Sequence, residues 1–191
     1  MNILNDTLKE ARLWESFHEG FTNLYIDQCN KLDYKYEFGR GTCWLGEEGL
    51  DYKYTNKSHI AQGWKNRIFY DLTETIRSVA KTAGFGEEKE PLFNHLLVNQ
   101  YTNKQQLKMH KDNEKDLIGP IASLSLGATT KFNYGLSKRM KEAESISLIN
   151  GHILIGNREF FDNYYHSVSA PNISTYTPVR YNLTWRTINR D

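Results

Sequence analysis

The sequence predicts an α+β fold in which helices and a lid of strands and turns precede a double-sheet jelly roll. Three observations predict it. From about residue 93 onward, short runs of β-branched and aromatic residues recur between turn residues. Two earlier segments carry apolar residues at helical spacing. The composition, 39% hydrophobic with 12 Tyr and 9 Phe, suits an aromatic β-rich core rather than a disordered chain.

Over residues 7–32, Leu8, Ala11, Trp14, Phe17, Phe21 and Tyr25 recur every three or four positions, which predicts one or two amphipathic helices with a break near Gly20. Residues 34–54 change character. Tyr34, Tyr36, Phe38, Cys43, Trp44 and Leu45 are punctuated by Gly39, Gly41, Gly46 and Gly49, a pattern of strands and turns with Gly46-Glu47-Glu48-Gly49 as a loop. Residues 51–64 are polar and weakly patterned, and read as an exposed flap of the kind that carries specificity. A helix is predicted over 71–83, with Leu72, Ile76, Val79 and Ala80 on one face and Gly84 placed to end it. After a charged turn at 86–91, strands are expected at 93–101, 107–112, 121–126, 130–134, 145–148, 152–156, 164–169 and 180–187. Between two of these, Lys138-Arg139-Met140-Lys141 reads as a solvated hairpin tip.

A chain of 191 residues fits one domain over 1–191, with N-terminal helices and lid to about residue 90 and a jelly-roll core from about 91 to 191. The net charge of +1 gives no global field toward polyanions, so any contact with nucleic acid must come from local basic patches. The cysteines, Cys29 and Cys43, form neither a metal knuckle nor a secreted disulfide framework. No basic segment followed by an apolar run opens the chain, and nowhere do 18 apolar residues stand together. The expectation is a soluble monomer that engages no membrane and is not secreted, cytoplasmic or, in a eukaryote, nuclear.

Chemistry concentrates in two stretches. In His110-Lys111-Asp112, a strand would point imidazole and carboxylate to one face. A later His166 supplies a third donor from another strand, and two imidazoles with one carboxylate make the facial triad of non-haem Fe(II) oxygenases, with positions left open for a cosubstrate and O2. The stretch Arg180-Tyr181-Asn182-Leu183-Thr184-Trp185-Arg186 alternates strictly, with Arg180, Asn182, Thr184 and Arg186 on one face. A chelating dianionic cosubstrate needs such guanidinium partners. Extended at about 3.3 Å per residue, Arg180 and Arg186 stand roughly 20 Å apart. One ligand does not easily bridge both, so one arginine is free to hold the carboxylate that binds the metal.

His110-x-Asp112 followed by Asn113-Glu114, then Pro120-Ile121-Ala122-Ser123-Leu124-Ser125-Leu126-Gly127, Phe132, Gly151-His152-Ile153-Leu154, Tyr165-His166-Ser167 and the terminal arginine stretch together resemble the AlkB family of Fe(II)- and 2-oxoglutarate-dependent dioxygenases. The resemblance runs from about residue 41 to 186 and is closest to the animal and plant DNA-repair branch. It implies a double-stranded β-helix (jelly-roll) core, Fe(II) bound by His110, Asp112 and His166, and 2-oxoglutarate held by Asn99, Tyr101, Arg180, Asn182 and Arg186. Arg180 would take the distal carboxylate beside Tyr101, with Arg186 nearer the metal. It further implies oxidative demethylation, with O2, of N-alkylated bases such as 1-methyladenine and 3-methylcytosine in DNA or RNA, releasing formaldehyde and succinate.

Residues 42–54 resemble the family's nucleotide-recognition lid, which implies that Tyr54 stacks on a flipped base opposite His110 while Tyr52 and Glu114 contact base edges. The segment before Gly41 has no match to the apolar wedge of double-strand-specific members. With no extended basic tail or zinc module in the sequence, affinity for polynucleotide is either modest or supplied by Lys53, Lys57, Lys65, Lys138, Arg139 and Lys141. Two alternatives stand beside this reading: the same oxygenase chemistry on a protein, lipid or small molecule, and a catalytically silent nucleic-acid-binding module.

Overall fold

Strand β13 (Arg180–Ile188) is the axis of the molecule, and all nine of its residues are buried. It is held on one side by β6 (His95–Tyr101) and on the other by β8 (Leu117–Gly127) in a computed structural model that describes residues 11–14, 19–37, 39–54, 57–85, 92–102 and 105–190. A strand paired on both edges cannot be a solvated margin. Outward from it lie β11 (Ile153–Gly156) and β1 (Ala11–Trp14) on one side, and β3 (Arg40–Gly46) and β2 (Lys35–Glu37) on the other, completing a seven-stranded sheet. Facing it is a four-stranded sheet of β10 (Glu144–Leu148), β9 (Thr130–Gly135), β12 (Tyr165–Val168) and β7 (Leu107–His110). The hairpin of β4 (Asp51–Tyr54) and β5 (Lys57–Ile60) forms a separate two-stranded sheet packed on Trp44. Mostly antiparallel pairing in two facing sheets is the expected double-stranded β-helix.

Alternation along β13 builds two cores. Tyr181, Leu183 and Trp185 face the helical side, where they join Phe69, Leu72, Ile76 and Ala80 of helix α2 (Arg67–Thr82). Between the sheets a second cluster gathers Leu97, Ile121, Phe132, Leu154, Phe161 and Val168. Helix α2 starts where Asn66 accepts a hydrogen bond from the Phe69 amide and stops at Gly84, whose φ of +79° lies in the left-handed region favoured by glycine. It is bolted to β13 by one buried bond: Trp185 Nε1 donates to Thr73 Oγ1 at 2.9 Å. Replacing Thr73 by Val orphans that indole N–H. The expected cost is about 1–3 kcal/mol, read as a lower urea midpoint at unchanged slope, with Thr73→Ser close to the parent.

Several sequence expectations are corrected. Within 7–32, Ala11–Trp14 is a strand, because Ala11 and Leu13 alternate into the core while the backbone pairs with β11; the helix, α1 (Glu19–Cys29), begins only at Glu19 and contains Gly20 in its first turn. Leu8 and Phe17 lie outside the described residues, as does the turn at 86–91. The flap at 51–64 is not wholly exposed, since its cross-strand pair Tyr52 and His59 is buried against Trp44. The strand expected over 107–112 ends at His110. Short helix α3 (Arg158–Asn163), capped by Asn157, follows β11 and buries Phe160 and Phe161. Gly156 permits it, since an added Cβ would meet the Phe161 ring at 2.8 Å. No helix among the described residues is long and apolar enough to cross a membrane.

Candidate active site

Between the sheets the packing is incomplete and leaves a cavity of about 670 Å³, open mouth included. One wall is the polar face of β13 and its neighbours. The register sets Arg180 beside Tyr101, and Asn182 between Asn99 and Ser125. Arg180 Nη2 donates to Asn182 Oδ1 at 2.9 Å and to Ser125 Oγ at 3.1 Å; Asn182 Nδ2 donates to Thr184 Oγ1 at 2.7 Å and Ser123 Oγ at 3.1 Å. The Arg180 guanidinium lies 5.2 Å from the centre of the Tyr101 ring. Its side chain is 0% exposed, and Nε and Nη1 have no hydrogen-bond partner among the described residues. Burial depresses its pKa, partly opposed by Tyr101. A buried cation without a counter-ion is costly, and a carboxylate relieves the cost. This is the feature on which the fit of a keto acid rests.

Across the cavity, β12 and β7 pair with His166 directly opposite His110, bringing the ring centres to 4.3 Å. Asp112 follows the end of β7, so strand alternation does not aim it. The departing chain returns its carboxylate, with Oδ1 3.8 Å from His110 Nε2 and Oδ2 3.7 Å from His166 Nε2. One ligand atom from each of these residues lies within 4.8 Å of the others. His110 Nδ1–H donates to the Lys108 carbonyl at 2.8 Å, which leaves the Nε2 lone pair facing the carboxylate. Burial, and then His166, push the His110 pKa down to about 4, so the ring is neutral as a ligand must be. Asp112 Oδ1 is buried with no hydrogen-bond partner among the described residues. A carboxylate with one orphaned oxygen, set between two imidazoles, fits a divalent cation.

Arg186 meets Asp112 on its far side, Nη2 to Oδ2 at 3.2 Å, both side chains buried. Burial alone would raise the Asp112 pKa, yet Arg186 and the two histidines hold it well below the usual carboxylate range. Burial likewise opposes the Arg186 charge, and Asp112 more than restores it. Beyond Arg186 lies a ring cluster: the guanidinium is 5.7 Å from the Tyr52 ring, which packs on Trp44 at 5.5 Å and His95 at 5.3 Å. Glu114 belongs to the same corner; burial and the Asp112 charge raise its pKa.

Fully buried and without a hydrogen-bond partner for either nitrogen among the described residues, His95 is held neutral. Burial, then Arg186 and His59, depress its pKa to about 3. In the unfolded chain a histidine protonates near 6.5, so stability is full above that value and is lost as pH falls toward 3. Between pH 7 and pH 5 this one group removes about 2 kcal/mol. In His95→Leu, urea unfolding at the two pH values should show a correspondingly smaller gap.

The structure therefore brings His110, Asp112, His166 and Arg186 together, and sets Asn99, Tyr101 and Asn182 along the same cavity. Arg180 stands behind that wall rather than among its lining residues. Tyr52 lines the cavity, its side chain fully buried, and Tyr54 lies in β4 with its side chain outside the described residues. Sequence reasoning missed Ser123, Ser125, Trp44 and above all Arg40, which lines the cavity and donates from Nε to Asn99 Oδ1 at 2.6 Å. The available signal was alternation: Arg40, Thr42 and Trp44 share one face of β3.

Comparison with known proteins agrees with this geometry. A family model described as the 2OG-Fe(II) oxygenase superfamily matches residues 2–186. The chain is 35% identical over 95 residues to the alpha-ketoglutarate-dependent dioxygenase AlkB of Salmonella typhimurium, covering 47% of this chain and 43% of that protein. It is 34% identical over 95 residues, with the same coverage, to the protein of that name from Escherichia coli. The match thus spans less than half the length of these curated relatives. The structure of OsALKBH1 superposes with a TM-score of 0.65 at 21% identity, over 94% of this chain and 98% of that one. An oxidoreductase of the 2OG-Fe(II) oxygenase family from Burkholderia pseudomallei does so with 0.63 at 11% identity, over 95% and 89%. At such identities these two likenesses speak for the fold.

Proposed function

Since the chain belongs to the 2OG-Fe(II) oxygenase superfamily and is AlkB-like, we propose that it oxidatively demethylates N-alkylated nucleobases of the 1-methyladenine and 3-methylcytosine type, in DNA or RNA. The observation that carries the oxygenase half is a pair of complementary buried charges: a carboxylate set between two imidazoles on one wall of the cavity, and, just behind the facing wall, a guanidinium with no carboxylate partner among the described residues. With Fe(II) and 2-oxoglutarate bound, O2 is spent on oxidative decarboxylation to succinate and CO2 coupled to hydroxylation of the substrate methyl group. The hydroxymethylated base nitrogen then loses formaldehyde, which restores the base.

The residues of this chain position that chemistry. His110, Asp112 and His166 hold the iron, the first oriented by the Lys108 carbonyl. Arg186 holds Asp112 in place and in its ionised form. Arg180 and Tyr101 take the distal carboxylate of the keto acid, while Asn99 and Asn182 border it. Trp44, Tyr52 and Phe132 line the cavity with flat apolar surface that accepts a base taken out of its stack and excludes water. Tyr54 would stack on that base from the lid. Glu114, with its raised pKa, carries a carboxyl suited to a polar base edge beside Tyr52.

A panel of single- and double-stranded DNA and RNA oligonucleotides carrying these methylated bases tests the reading. Formaldehyde release requiring both Fe(II) and 2-oxoglutarate supports it and ranks the polymers. Turnover of 2-oxoglutarate with no change in any oligonucleotide would assign the same oxygenase to another substrate class. Failure to bind Mn(II) without oxygen would leave only a silent binding module.

A further inference from the structure

We infer that Arg40 is a positioning residue for the keto acid, because it fixes which end of the Asn99 carboxamide faces the cavity. The inference rests on the reading of Asn99 as a keto-acid ligand. A carboxamide is nearly symmetrical in shape, and its oxygen and nitrogen are told apart by the partners they meet. Arginine is a donor only. The group meeting Arg40 Nε at 2.6 Å must therefore be the Asn99 oxygen, and the bond admits no flipped alternative. What Asn99 has left for the cavity is a pair of N–H donors, the right complement for a carboxylate and the wrong one for a cation.

The setting gives the bond leverage. Arg40 is 4% exposed and Asn99 5%, and both line the cavity. Arg40 opens β3 next to the Gly41↔Gln100 and Thr42↔Asn99 pairs, so the guanidinium comes from the neighbouring strand rather than from a loop. On the other side of Asn99, the Asn182 oxygen is occupied in the same sense by Arg180, and its amide nitrogen donates to Ser123 and Thr184. Each arginine thus takes the oxygen of one asparagine. The Asn182 nitrogen is spent on Ser123 and Thr184, so Asn99 is the asparagine whose donors are left for the cavity. Removing Arg40 frees Asn99 to rotate, and half of its orientations then present a carbonyl oxygen to the carboxylate of the keto acid.

The test compares Arg40→Gln, Arg40→Lys, Asn99→Ala and the double variant Arg40→Gln/Asn99→Ala, each loaded with Mn(II) under nitrogen and titrated calorimetrically with 2-oxoglutarate. Gln fills similar space but offers both donor and acceptor, whereas Lys, like Arg, can only donate. Arg40→Gln is expected to weaken 2-oxoglutarate binding about tenfold or more, the worth of one charge-assisted hydrogen bond. Arg40→Lys should retain most of the affinity, Mn(II) affinity should not move, and the double variant should bind no more weakly than Asn99→Ala. In turnover the loss should appear in KM for 2-oxoglutarate rather than in kcat. An Arg40→Gln within twofold of the parent overturns the inference, as does a double variant in which the two losses multiply. If Arg40→Gln does not fold, a tenfold loss in Arg40→Lys has the same consequence. An Asn99→Ala with unchanged affinity takes the reading of Asn99 down as well, which separates that failure from failure of Arg40 alone.

Discussion

Replacing Asp112 with Ala is expected to abolish metal binding and, with it, all turnover of 2-oxoglutarate. The carboxylate is the only charged donor among the three, and it joins the other two: its oxygens lie 3.8 and 3.7 Å from the ligating nitrogens of His110 and His166. The substitution also strips Arg186 of a partner at 3.2 Å inside a buried site. Breaking such a pair from one side costs about 3–5 kcal/mol, so the variant should be markedly less stable as well as inactive. The two effects separate in Asp112→Ala/Arg186→Met. Removing both charges should return most of the lost stability, since an apolar pair replaces an ion pair at little cost, while metal binding stays absent. Urea midpoints and Mn(II) titration without oxygen read the two quantities independently. Wild-type Mn(II) affinity in Asp112→Ala would strike the residue from the ligand set.

That prediction was legible in the sequence only in its residue types. His110, Asp112 and His166 name the chemistry, yet alternation along one strand does not bring them together, since Asp112 lies past the end of β7. The cross-strand pairing of His166 with His110 does the work instead, and register between distant segments is not written locally. The terminal strand is far more readable, because the seven alternating residues from Arg180 to Arg186 specify both faces whatever the strand pairs with. Even the roughly 20 Å span along an extended strand, which separates the roles of Arg180 and Arg186, follows from spacing alone.

Where a side chain meets a partner far away in sequence, local alternation names its face but not the partner. Arg40 reaches Asn99 across 59 positions, and an isolated arginine between glycines reads as surface. The four residues Ala11–Trp14 fit a helical and a strand period equally well, and pairing with β11 makes them a strand. Tyr52 shows the same limit inside the lid. Its place against Trp44, His95 and Arg186 comes from the hairpin folding back over the sheet.

Replacing Arg180 with Met is expected to act in the opposite sense on stability and in the same sense on function. The guanidinium is fully buried, two of its nitrogens are unpartnered and no carboxylate among the described residues neutralises it, so it carries an uncompensated desolvation cost in the ligand-free protein. Its bonds to Ser125 and Asn182 return part of that cost. Removing the charge should therefore leave the ligand-free protein about as stable as the parent or more so, whereas Asp112→Ala weakens it. For 2-oxoglutarate the loss is that of a buried, hydrogen-bonded charge partner, about 2–5 kcal/mol, or roughly 30-fold to several thousandfold in Kd. The clearest readout is the stabilisation by ligand itself. At one hundred times the parent Kd, 2-oxoglutarate with Mn(II) should stabilise the parent by about 2.7 kcal/mol and Arg180→Met by less than about 1 kcal/mol. A variant stabilised as much as the parent would mean that the keto acid finds its anchor elsewhere in the cavity. Because the unliganded proteins are expected to be alike, a difference in that increment cannot be assigned to misfolding. That pair of results would mean that the buried charge is retained at some cost to the empty fold, a cost recovered when a carboxylate arrives.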